Sequence, residues 1–89
     1  MVSIKVELTG LFGQKVISSK DVFLFNEQTT IQDVIFRINT QFGIKITANC
    51  LRERDIICVW NGNVIEENEL NMPISQDSTI SIFQPLAGA

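Results

Sequence analysis

The chain has no histidine, and only two of its 89 residues are cysteine. The first absence removes the side chain most often used as a general base or metal ligand at neutral pH. The two thiols, Cys50 and Cys58, lie eight positions apart, which is not a CxxC redox spacing. Two thiols alone do not complete a zinc site either, so no metal is expected. With neither a nucleophile–base pair nor a ligand cluster in view, an enzyme acting through its own side chains is not expected. No apolar run approaches the roughly 20 residues of a membrane span. The opening Met1-Val2-Ser3-Ile4-Lys5-Val6-Glu7-Leu8 alternates in polarity and lacks the apolar block of a secretory signal. It reads as a strand of a cytoplasmic protein.

Grouped positive charge is also lacking. The seven Lys and Arg residues are scattered, and Arg52-Glu53-Arg54-Asp55 cancels itself. Net charge is −3 and the pI about 4.7. Neutralising phosphates takes clustered cations, so nucleic acid is not an expected partner. The acidic residues Glu66, Glu67 and Glu69 gather in one stretch. It reads as a solvated loop, with a basic partner surface as the alternative.

What is present suits one small domain with a single core: 45% hydrophobic and 19% charged residues over this length. Val2, Ile4, Val6 and Leu8 alternate with polar residues, the period of a half-buried strand. Residues 9–13, with Gly10 and Gly13, are expected to turn it. Residues 21–26, containing Val22, Phe23, Leu24 and Phe25, are expected to form the returning strand of a loose hairpin. The period then changes. Thr30 and Asp33 form a capping-box pattern, and Ile31, Val34, Ile35, Ile38 and Phe42 fall on one helical stripe. Gly43 is placed to end that helix in a left-handed conformation. Phe36 lies off the stripe and is expected to pack under the next loop rather than mark a contact surface. Residues 44–55 read as an irregular crossing with a short strand at most.

The next strand is residues 56–61, closed by the Asn61-Gly62 turn, with a stub at residues 63–65. Cys58, in Ile56-Ile57-Cys58-Val59-Trp60, reads as a small core hydrophobe. No pattern supports a reactive thiol at Cys50. Residues 79–84 form the last strand, and Pro85 ends its pairing because it offers no N–H. The order hairpin, helix, strand, stub, strand predicts an α+β fold with a mixed four- to five-stranded sheet and one main helix at about residues 31–42. One helix covers one face of such a sheet. Phe83, with Phe23 and Phe25 from the alternating set 22–25, is therefore expected to meet a partner on the uncovered face.

The run from "VWNG" (59–62) to "SQDSTISIFQPLAGA" (75–89), and more weakly "TTIQDVIFRI" (29–38), resembles the ubiquitin-like β-grasp sulfur carriers. These are the small subunit of molybdopterin synthase and the sulfur carrier of thiamine biosynthesis. The resemblance implies a β-grasp domain over residues 1–84 and a flexible C-terminal tail over residues 85–89. It implies no cofactor of the chain's own. An E1-like enzyme would adenylate the terminal carboxylate, and a sulfur donor would displace AMP to leave a thiocarboxylate. The family tail ends in two glycines; Gly88 matches the first, and Ala89 stands where the second would be. Ala89 then carries the reacting carboxylate, while Pro85, Leu86 and Ala87 join the partner contact. Five residues reach about 16–18 Å when extended, enough to enter a partner's active site. The recipient of the sulfur would be the molybdopterin synthase large subunit first, or thiazole synthase. The competing reading is a β-grasp binding subunit that docks through its sheet face and tail without transferring sulfur. Ala89 divides the two readings, since alanine keeps the carboxylate but adds a methyl group and restricts φ.

Overall fold

A computed structural model describes residues 1–26 and 28–85. The chain opens with strands β1 (Val2–Phe12) and β2 (Lys15–Phe25), paired antiparallel from Val2↔Phe25 to Phe12↔Lys15. The hairpin is longer and more regular than expected. Its turn is the two residues Gly13 and Gln14, with Gly13 at φ 66°, a value glycine adopts without a Cβ clash. The turn expected over residues 9–13 is thus displaced to the end of a longer strand. The first half of β2 carries no inward apolar residue beyond half-buried Ile17, and main-chain pairing to β1 holds it.

Two-residue β3 (Thr29–Thr30) leads into α1 (Ile31–Phe42). The capping box is formed as the spacing predicts: Asp33 N–H donates to Thr30 Oγ1 at 3.1 Å, and Thr30 N–H donates to Asp33 Oδ2 at 3.2 Å. Gly43 caps the other end at φ 66°. Ile31, Val34, Ile35 and Ile38 are buried against the sheet. Phe36 is not under a loop: it is 69% exposed, on the outward side of the helix.

After α1 the chain is held by a side chain rather than by a strand. Asn39 donates from Nδ2 to the Ile46 carbonyl at 3.0 Å and accepts the Ile46 N–H at Oδ1 at 2.9 Å. This two-bond clasp directs Ile44 and Ile46 into the core. A five-residue helix α2 (Ala48–Arg52) follows where a short strand was the alternative. Strands β4 (Ile57–Trp60) and β5 (Asn63–Val64) flank a turn with Asn61 at φ 49° and Gly62 at φ 87°, the two positive values of a type I′ turn. A single 3-10 turn (Glu67–Glu69) comes next, then β6 (Pro73–Ile74), paired with β3, and β7 (Ser78–Phe83).

The main sheet runs β2-β1-β7-β4-β5. β1 and β7 are parallel at its centre, and every other pair is antiparallel. One twelve-residue helix lies on one face, which makes the fold α+β and β-grasp. The core between them holds Ile4, Leu8, Ile38, Ile80 and Ile82, each almost wholly buried. No helix among the described residues is long and apolar enough to cross a membrane.

Candidate functional site: the outlet of the last strand

Alternation along β7 sends Ile80 and Ile82 into the core and Thr79, Ser81 and Phe83 to the opposite, helix-free face. Phe83 is 38% exposed. Pairing places it beside Ile57 of β4 and Thr9 of β1. One step along, Ser81 is opposite Val59, which in turn is opposite Val64. Phe83, Ile57, Val59 and Val64 therefore share one uncovered face close to the point where the chain leaves the sheet.

The structure does not place Phe23 and Phe25 with them. Both are core residues, 5% and 9% exposed, because they sit opposite Ile4 and Val2 in the hairpin register. Their rings meet edge-on at 6.4 Å, and the Arg37 guanidinium lies 4.7 Å from the Phe25 centroid, covering that ring from outside. The apolar residues of β2 that do face outward on the helix-free side are Val16, Val22 and Leu24, at 84%, 62% and 57%.

Beyond Phe83, Gln84 is held to β1 by both its main chain and its side chain. Its N–H donates to the Thr9 carbonyl at 3.3 Å, and its Oε1 accepts the Leu11 N–H at 3.1 Å. Pro85 is exposed. Leu86, Ala87, Gly88 and Ala89 lie outside the described residues, as does the expected mobility of the tail. The sequence reading placed Gly10 in a turn and Gln84 at a strand end and missed the contact between them. The one available signal was a glycine set in an otherwise alternating strand.

The described side chains offer little reactivity. Burial pushes the Cys58 thiol up to about 12, so it stays protonated at neutral pH and packs as a hydrophobe. Cys50 is half-buried with its Sγ 3.4 Å from Thr47 Oγ1. Among the described residues, no three His, Cys, Asp or Glu side chains converge as a metal site would require.

No curated protein matches this sequence. The sequence model of the ThiS family matches residues 10–88, from near the end of β1 to the next-to-last residue of the sequence. A match of that span, on a β-grasp fold whose last strand opens onto a small-residue tail, means that the chain belongs to the ThiS family of ubiquitin-like sulfur carriers.

Proposed function

We propose that the α-carboxylate of Ala89 is the working group of this protein and that it carries sulfur as a thiocarboxylate. The observation that supports this most is that the family match continues through Gly88, five residues past the end of β7 at Phe83. Gln84 and Pro85, the first of those residues, are exposed, and the kinship of the stretch to the family is read as one of tail chemistry. In the proposed cycle, an Ala89 carboxylate oxygen attacks the α-phosphorus of ATP in an E1-like enzyme, and pyrophosphate leaves. A sulfur nucleophile such as hydrosulfide then attacks the acyl carbon and expels AMP. The protein contributes position rather than acid–base catalysis: Phe83 and its neighbours on the uncovered face seat the partner, and Pro85, Leu86, Ala87 and Gly88 lead the carboxylate into it. The recipient is a molybdopterin synthase large subunit, with thiazole synthase as the other candidate of the same chemistry. Nothing in this cycle calls for a membrane, nucleic acid or a bound cofactor.

Ala89 motivates a second reading, a docking subunit of the same shape without sulfur transfer. Intact-protein mass spectrometry separates the two. After incubation with an E1-like enzyme, ATP and a sulfur source, the natural chain should gain the mass of one oxygen-to-sulfur exchange. Ala89→Gly should react at least as fast, and a chain lacking Gly88 and Ala89 should fold but gain nothing. Sulfur on the Ala89→Gly chain alone would make the natural protein a docking subunit.

A further inference from the structure

In a regular parallel ladder, every second residue bonds to a given neighbouring strand, donating its N–H to one carbonyl there and accepting at its own carbonyl from the N–H two residues further along that strand. Gln84 keeps the first half of this pattern, donating to the Thr9 carbonyl. The second half should be Leu11 N–H donating to the Gln84 main-chain carbonyl. Leu11 donates instead to the Gln84 side-chain carbonyl, Oε1, at 3.1 Å. The carboxamide stands in for the main chain. The ladder is completed, and the main-chain carbonyl of Gln84 is released from it, so the backbone can leave the sheet at this residue with no orphaned Leu11 amide.

Two neighbours make the substitution feasible. Gly10, the position opposite Gln84, has φ 138°, and a Cβ built there would sit 2.9 Å from Gln84 Cβ and 3.3 Å from its nitrogen. Only a residue without Cβ leaves room for the Gln84 side chain to fold back against β1. On the other side, Pro85 has no N–H to satisfy and disfavours helical backbone at Gln84, keeping that residue extended. Gly10, Gln84 and Pro85 thus act together from opposite ends of the sequence.

We propose that this clamp fixes the point and direction from which the tail departs, and that Gln84 is a positioning residue for reaction at the carboxylate. This rests on the carrier reading above. Docking through the uncovered face does not involve the carboxamide, so losing it should leave docking intact. The carboxylate would reach its place in the docked complex less often. Ordering one additional backbone residue corresponds to roughly a five- to thirty-fold effect on the rate.

The test uses the full chain, Gln84→Ala and Gln84→Glu, the last of which keeps an oxygen to accept from Leu11. Amide exchange at Leu11 is read by NMR in the free proteins, and adenylation is followed as pyrophosphate release with an E1-like enzyme. Gln84→Ala should speed Leu11 exchange at least ten-fold and lower kcat by about five- to thirty-fold with KM unchanged. Gln84→Glu should restore both. Unchanged Leu11 exchange in Gln84→Ala would overturn the clamp. Faster exchange with unchanged kcat, or a rise in KM alone, would overturn its role in positioning. A wild-type chain that is never adenylated would defeat the carrier reading and the positioning role with it, while the exchange data would still decide whether the clamp exists.

Discussion

The two faces of the sheet are built from the same strands and the same residue types, yet they behave as different materials. On the helix side, Val2, Ile4, Val6, Leu8, Phe23, Phe25, Cys58, Ile80 and Ile82 are all buried. On the other side, Leu11, Val22, Leu24, Val64 and Phe83 are exposed, though each is only one position away in sequence from a core residue. Parity along the strand therefore decides whether an apolar side chain stabilises the monomer or is left for something else to cover. The consequence is a division of labour. One face can be damaged only at the expense of folding, and the other can be changed with the fold intact.

The largest expected effect lies in the core. Ile38→Ala should cost about 2–5 kcal/mol in denaturant unfolding, since the side chain is fully buried between helix and sheet. A loss under 0.5 kcal/mol would break the comparison at its strong end. Cys58 sharpens it through pH. Its folded-state pKa of about 12 lies above the 9.0 of the free thiol, so between those values the unfolded chain gives up a proton that the folded chain keeps. The stability due to this site is complete below pH 9 and declines as pH rises toward 12, by at most about 1.4 kcal/mol per unit. Unfolding measured across that range should show a shallower alkaline decline in Cys58→Ala than in the wild type.

The uncovered face should respond in the opposite sense. Phe83→Asp should weaken binding to an E1-like enzyme at least ten-fold in titration calorimetry while lowering stability by less than about 1.5 kcal/mol. Equal damage to both would mean that Phe83 belongs functionally to the core. The smallest effect is expected at Val22→Thr, which keeps a β-branched residue on an exposed strand. Its midpoint in urea should correspond to a change within about 0.5 kcal/mol.

Legibility in the sequence followed the same divide. The helix was readable to the residue because its stripe, its Thr30–Asp33 box and Gly43 are local signals that tertiary context did not override. The order of the main elements and the turn at Asn61-Gly62 were readable for the same reason, while the β-grasp reading came from the family resemblance. Parity in β2 was not. Val22-Phe23-Leu24-Phe25 is apolar at every position, so alternation carries no information there, and only the register against Val2 and Ile4 selects Phe23 and Phe25 for the core. Residues 15–20 were passed over because their strand is made by main-chain pairing, which leaves no pattern in side chains. The clasp of Asn39 on Ile46 and that of Gln84 on Leu11 are side-chain mimics of backbone pairing. Nothing within a local window marks a carboxamide for that work.

The parallel pairing of β1 with β7 has a consequence in time. Ile4 meets Ser78 across 74 residues of chain, so the central slot of the sheet stays vacant until residues 78–83 are available to pair. Contacts that distant in sequence form late and slowly. The strand that fills the slot is also the one that leads into the tail. A chain stalled or cut short before residue 78 has neither a closed sheet nor a tail to present, and a misfolded full-length chain has no seated Gln84 from which to present one. Arrival of the final strand thus closes the sheet and seats Gln84 against β1 in a single event.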